Sequence, residues 1–366
     1  MRILMIGPIE KTGGVSTHTR MLAKALKDKG IEVHLYNTST KKESKIKLIN
    51  DLVKLFKKSF GVSFKILKYY RKVDLVHIQA SGPIGGFLPA IFGCFLKSIC
   101  KYNLVVTFHY GRTEEFVKRR KNFMGFVIAR VDLFILVSER QKKLILEYLG
   151  KNYGNKIAVI SNGFDSKSFY PIINKTNVKQ KLNLPLDKKV ILNVASLYPV
   201  KGQRYLIEAV REIIKYRKDF LCIIVGDGPL REGLKAQIKK LGLENYVKLV
   251  GSKPHDEIPL WMNAADLFVL PSLSEGNPTV MFEALGCGKP FVGTKVDGIP
   301  EVITSEDYGL LCEPANAEDL AEKILIALEK SWGIENIRKY AEQFAWENVA
   351  KEVIKMYERI LRNVES

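Results

Sequence analysis

Short apolar runs alternate with helix-length stretches along the whole chain, and no other feature constrains its fold as much. Strand-sized runs lie at residues 3–6, 33–36, 75–78, 104–108, 133–137 and 158–160, and again at 190–194, 221–225, 247–250, 267–270 and 291–293. Strands spaced by helices argue for parallel sheets covered on both faces, so the expected class is α/β, built twice over. With 366 residues the chain is long for one core and suits two domains. Residues 165–187 hold Pro171, Pro185 and many Lys and Asn with little apolar periodicity, and an interdomain linker is expected there. Residues 346–361 place Val349, Ile354, Tyr357 and Leu361 on one helical face, which predicts a closing helix. The expected domains are residues 1–166 joined by 346–366, and residues 167–345.

Composition narrows the class. Hydrophobic residues make up 46% and charged residues 27%, which excludes a disordered or collagen-like chain. Five scattered cysteines without a Cys-x-x-Cys pair give neither a disulfide framework nor a zinc site. The first apolar run is short and includes Gly7 and Pro8, so a buried strand is expected rather than a secretory signal. The uncharged stretch between Asp74 and Lys97 is broken by glycines and prolines, and no membrane span is expected. A cytoplasmic location fits this reading.

The net charge of +19 is not evenly spread. Residues 1–170 carry 31 Lys or Arg against 12 Asp or Glu, whereas residues 171–366 carry 27 of each. A first half this basic is expected to meet something anionic: lipid headgroups, a phosphorylated acceptor or nucleic acid. A genome-wide lysine bias is the plainer explanation, but it does not account for the balanced second half. Residues 41–72 concentrate the charge, with 11 Lys or Arg against Glu43 and Asp51. At helical spacing Ile49, Leu52, Val53, Phe56, Phe60, Phe64 and Leu67 share a face opposite Lys47, Lys54, Lys58, Lys65 and Lys72, with a break into two helices expected near Gly61. Two readings are open: the apolar face packs on the sheet, or it lies on anionic lipid.

In doubly wound sheets, ligands bind beyond the carboxyl ends of strands, so the loops that follow strands are the places to search. After the first strand, Gly13 and Gly14 precede a helix, where free backbone N–H groups suit a phosphate; a simple tight turn is the alternative. Lys201-Gly202 follows the strand at 190–194 and could reach a phosphate as a point charge. Gly226-Asp227-Gly228-Pro229 reads as a structural turn. The strongest pattern follows the strand at 267–270. Pro278 suits a first helical position, which leaves the amides of Thr279 and Val280 among the unpaired donors of a helix start. Glu283 lies one turn deeper on the same face, placed to accept from paired hydroxyls such as those of a ribose. Glu275 lies in the loop at the helix mouth. Two acids around a diphosphate cradle describe a nucleotide-sugar site. Glu139 and Glu147 share the spacing without glycine or proline nearby and read as a solvated helix face.

The string Ser274-Glu275-Gly276-Asn277-Pro278 with Glu283-Ala284 resembles the Glu-x7-Glu motif of the family-4 retaining glycosyltransferases. The resemblance extends over nearly the whole chain, through Gly13-Gly14-Val15, Thr107-Phe108-His109, Ser161-Asn162-Gly163, Lys201-Gly202, Val296-Asp297-Gly298 and Trp346-Glu347-Asn348. It implies a GT-B fold, two Rossmann-like domains facing a central cleft, and transfer of a sugar from a nucleotide diphosphate sugar to a hydroxyl with retention. By resemblance, Gly14 and the amides near Thr279 and Val280 would hold the diphosphate, with Gly13 in the same substrate-binding set, Lys201 would neutralise it, and Glu283 would bind the ribose. Glu275 would contact the transferred sugar and His109 would approach it from the first domain. Asn162, Ser196, Gly276, Asn277 and Pro278 belong to the substrate-binding set through the same motifs. The family commonly has an arginine where this chain has Ser196, so charge neutralisation there is expected to be weaker unless Arg204 or Arg112 enters.

No Asp-x-Asp pair occurs, which points away from a magnesium-bridged diphosphate; no metal and no cofactor are expected. The expected acceptor is lipid-linked or a glycan, in surface-polysaccharide or glycolipid synthesis. The basic domain would then be peripheral on the inner face of the plasma membrane, and Arg119, Arg120 and Lys121 offer a second place for an acceptor phosphate. An inverting GT-B enzyme is the alternative. A nucleic-acid-binding α/β protein is a further one, though no helix-turn-helix, zinc finger or RNP-type strand supports it. A dinucleotide-binding dehydrogenase lacks its glycine fingerprint.

Overall fold

The computed structural model describes residues 1–10, 13–39, 47–82 and 84–365. The Lys11-Thr12 part of the first loop and the Lys41-to-Lys45 part of the basic segment lie outside the described residues. The described chain forms two compact units, one of residues 1–163 with 346–366 and the other of residues 164–345.

The first unit is a six-stranded parallel sheet. Its strands are β1 (Arg2–Gly7), β2 (Glu32–Asn37), β3 (Leu75–Ala80), β4 (Asn103–Phe108), β5 (Leu133–Leu136) and β6 (Ile157–Val159), in the order β2-β1-β3-β4-β5-β6. Ile3 pairs with Val33 on one side and Leu75 on the other. Helices cover both faces, and β1 shows why. Leu4 and Ile6 point into one layer, Ile3 and Met5 into the other, and all four are fully buried. A strand apolar on both sides has nowhere stable except between two helical layers. The helix Trp346–Glu365 closes one layer by burying Trp346, Val349, Ala350, Val353 and Tyr357. Ile354 and Leu361, expected on that buried face, sit half-buried at its edge.

The second unit repeats the plan with β7 (Lys189–Val194), β8 (Phe220–Val225), β9 (Val247–Gly251), β10 (Leu267–Leu270), β11 (Phe291–Thr294) and β12 (Gly309–Cys312), in the order β12-β11-β10-β7-β8-β9. The outer strand β12 was not expected. It is only four residues long and has no β-branched residue, so propensity gives it no signal, and its pairing with β11 fixes it.

The expected linker is not one. Asn174 caps the helix Lys175–Lys181 by accepting from the Asn177 amide at 3.0 Å, and Phe169, Val178 and Leu184 are buried in the second unit's core. Where residue 164 begins that unit, Phe164 N–H donates to the Phe344 carbonyl at 3.1 Å. A segment that buries three large apolar side chains belongs to the core, whatever its lysine content.

Strand order reverses between β1 and β3 in the first unit and between β7 and β10 in the second. At such a switch point adjacent loops leave in opposite directions and open a crevice beyond the strand ends.

Candidate functional site

In the second unit the crevice lies between the loops that follow β7 and β10. The first of these tightens into the turn Pro199–Lys201 and leaves it through Gly202 at φ 67°. A Cβ on Gly202 would come within 1.9 Å of the Pro271 carbonyl oxygen, so only glycine lets the two loops approach this closely. The Leu273 amide donates to the Val200 carbonyl at 2.7 Å and ties them together.

This approach brings Lys201 to Glu275. The ammonium donates to Glu275 Oε1 at 2.6 Å, and Ser272 Oγ donates to the same oxygen at 2.7 Å. Glu275 is buried, and its backbone N–H donates to Asp297 Oδ2 at 2.7 Å, which also accepts from Ser274 Oγ at 2.9 Å. Asp297 holds φ 46°, a left-handed backbone rare for a residue with a side chain. Asp297 thus fastens the Glu275 loop from the end of β11. Lys201 therefore has a carboxylate partner within the unit rather than standing alone.

The helix Thr279–Gly286 starts just beyond, with Pro278 at its N-cap rather than its first helical position. Thr279 and Val280 open the first turn, where N–H groups have no intrahelical acceptor. Gly276 is half-buried and Asn277 buried in the loop leading in. Glu283 is buried one turn on, and His255 Nε2 lies 2.9 Å from its Oε1. His255 is a site residue the sequence did not reveal. It sits in a polar loop after β9, 28 positions from its partner. Ser196 is exposed, and its backbone carbonyl accepts from Gln203 Nε2 at 3.1 Å. Arg204 stacks on its neighbour Tyr205, with 4.3 Å from guanidinium to ring centre. Arg112, in the first unit, lies 3.9 Å from Glu115.

The first unit gathers histidines at its own switch point. Gly13, at φ 140°, leads into the helix Gly14–Asp28, and a Cβ on Gly13 or Gly14 would meet nothing within 4 Å, so space is open over both. The same helix carries His18, whose Nδ1 lies 2.9 Å from Asn162 Oδ1 and whose ring centre is 4.3 Å from that of His109. His18 Nε2 is buried with no hydrogen-bond partner. His109 Nε2 lies 2.8 Å from Gln79 Oε1, Gln79 Nε2 3.1 Å from His77 Nε2, and His77 Nδ1 2.5 Å from the Tyr357 hydroxyl. The bonding assigns tautomers along this line. Gln79 donates to His77 Nε2 and accepts from His109 Nε2–H, which leaves His109 Nδ1 with its lone pair.

Burial keeps these rings neutral. It lowers the His18 pKa to about 4 and that of His77 to about 3, and it holds His109 well below the usual range. His18 was not singled out in the sequence, where it is one helical histidine after a glycine pair. Four of the chain's five histidines belong to the arrangements described here.

Neither unit gathers metal ligands: no group of three or more His, Cys, Asp or Glu placed to hold an ion occurs among the described residues. The chemistry on offer is one ammonium, two buried acids and a helix start in the second unit, and neutral imidazoles in the first.

Residues 174–344 match the family model described as "Glycosyl transferases group 1", and residues 12–168 match "Glycosyltransferase Family 4". An uncharacterized glycosyltransferase of Methanocaldococcus jannaschii is 30% identical over 364 residues, covering 95% of each chain. The UDP-Gal:alpha-D-GlcNAc-diphosphoundecaprenol alpha-1,3-galactosyltransferase of Escherichia coli is 32% identical over 274 residues, 73% of this chain and 68% of that one. Among solved structures, sucrose-phosphate synthase from Thermosynechococcus elongatus superposes with a TM-score of 0.84 at 21% identity, over 99% of both chains. Anabaena HepE in complex with UDP does so with 0.78 at 22%, over 98% of this chain and all of that one.

Proposed function

The chain belongs to the group 1 and family 4 glycosyltransferases and has their GT-B fold, and from that premise we propose that it moves a sugar from a nucleotide diphosphate sugar to a hydroxyl acceptor with retention and without a metal. The observation that carries the reading is the Lys201–Glu275 pair, set beside a helix start at the second unit's switch point. The diphosphate meets Lys201 and the amides of Thr279 and Val280. Glu283, oriented by His255, accepts from the ribose hydroxyls. Glu275 contacts the transferred sugar.

In the transfer, the bond from the anomeric carbon to the diphosphate oxygen breaks and a bond to the acceptor oxygen forms. The acceptor proton passes to the departing diphosphate on the same face. Negative charge grows on the diphosphate, where a fixed ammonium and helix amides stabilise it without reorganising. These groups do the work a divalent ion would do, which supports activity in the presence of a chelator. His109 presents a neutral ring nitrogen with a lone pair, suited to accepting from a sugar or acceptor hydroxyl, and the buried His18 packs against its ring. The E. coli relative is named for a diphosphoundecaprenol acceptor, and a Rhizobium meliloti relative, 26% identical, for lipopolysaccharide core synthesis. These names support an acceptor in glycolipid or surface-polysaccharide assembly.

Calorimetry with UDP and GDP set against NAD tests the donor site. A nucleoside diphosphate is expected to bind and NAD not to, and Glu283→Ala should weaken the nucleotide about 10- to 100-fold, through loss of charge-assisted bonds worth about 1.5–3 kcal/mol. Unchanged affinity in that variant overturns the assignment, and an inverted anomeric product by NMR overturns retention.

A further inference from the structure

The helices Lys47–Lys58 and Phe60–Tyr69 are seated inside out. On the first, Asn50 is buried, Lys57 Nζ donates to the Ser39 carbonyl at 2.6 Å, and Lys54 and Lys58 line a cavity of about 270 Å³ together with Gly13, Gly14 and Gln79. On the second, Val62 and Ile66 are buried. Gly61 seats the pair, since a Cβ there would lie 2.3 Å from the Tyr36 hydroxyl, which donates to the Lys57 carbonyl.

The large apolar side chains point the other way. Phe56, Phe60 and Phe64 are 63%, 65% and 69% exposed, and Leu52, Leu55 and Leu67 extend the same stripe. The rings of Phe56 and Phe60 stack at 5.7 Å, and Phe60 lies 6.4 Å from Phe92 of the neighbouring helix Ile84–Lys97, which adds exposed Phe95. An apolar stripe of this size left in water marks an interaction surface.

Charge selects the occupant. Residues 48–72 hold seven Lys or Arg against the single acid Asp51, so a second copy of the same surface would meet like charge. An anionic bilayer supplies both an acyl boundary for the rings and headgroups for the cations. Resting on the glycosyltransferase reading, we propose that these two helices lie in the interface of an anionic lipid bilayer and that the cavity behind them, lined by Lys54 and Lys58, takes the phosphate-bearing headgroup of a lipid acceptor.

Flotation with vesicles of phosphatidylglycerol and phosphatidylcholine tests the surface without using catalysis. The protein is expected to float with these vesicles and not with phosphatidylcholine alone. The variant Phe56→Ser, Phe60→Ser, Phe64→Ser should lose at least tenfold in bound fraction with UDP affinity unchanged, which separates this outcome from a failure of the donor site. Protein that stays in solution overturns the proposal, as does a triple variant that floats equally well. A wild-type dimer in light scattering that the variant turns into a monomer, with no flotation, assigns the surface to a second copy instead. For the cavity, calorimetry with soluble dihexanoyl phosphatidic acid, in the presence of UDP, is expected to show binding that weakens at least tenfold in Lys54→Ala, Lys58→Ala. Equal binding in that variant removes the headgroup assignment.

Discussion

The two units share a plan of six parallel strands between helical layers but furnish their strand ends differently. In the unit formed by residues 164–345, the groups beyond β7 and β10 are ionic, with Lys201 against Glu275 and Glu283 against His255. In the unit formed by residues 1–163 with 346–366, the corresponding groups are the buried His18 and His77 and the half-buried His109, held neutral. A fixed charge can stabilise another charge, whereas a neutral imidazole offers a hydrogen bond to an uncharged group. On the proposed function, the contrast assigns the leaving diphosphate to the ionic unit and the uncharged hydroxyl to the neutral one.

Three experiments would break or sharpen this contrast. The largest effect is expected from Lys201→Ala, which removes the cation bonded to Glu275 and leaves that acid buried without it. Steady-state kinetics should show kcat lower by about 10²- to 10³-fold, whereas a loss under tenfold would mean that charge neutralisation lies elsewhere. Next comes acid. The unfolded chain protonates its histidines near pH 6.5, while the folded rings resist protonation until about pH 4 for His18 and about pH 3 for His77. Their contribution to stability is therefore complete above pH 6.5 and is lost as the pH falls toward those values, on the order of 3 kcal/mol for His18 alone. Hydrogen exchange should show the first unit's protection falling between pH 6.5 and 4 ahead of the second unit's, and equal loss in both would erase the distinction. The smallest effect is expected from Tyr357→Phe, which leaves His77 Nδ1–H without its acceptor at a cost of about 1–3 kcal/mol. Thermal melting, with the His77 resonance as a local probe, reads it out.

Legibility in the sequence followed the range of the interactions. The eleven expected strands all form, with bounds moved by a residue or two, because an apolar run between helices reports its own burial. Pairing of Glu275 with Lys201 was not legible, because Gly202 must first bring into contact two loops that hold residues 74 positions apart. The misread linker failed for a related reason. Phe169, Val178 and Leu184 keep no helical or strand period, so only their packing shows that they belong to a core. The basic segment gave its amphipathic pattern and its break into two helices, which fell at Ser59, but no pattern of spacing states which face turns inward.

The sequence by itself determined the α/β class, the parallel strands, a helix start within one residue of Thr279 and the positions of the two acids, since each follows from local periodicity or backbone chemistry. Only the tertiary structure decided that Lys201 meets Glu275, that His255 orients Glu283, that His18 joins His109, and that the phenylalanines of residues 56–64 face out. Those facts depend on which surfaces meet across dozens of residues, and that is settled by packing of the whole unit rather than by neighbours in the chain.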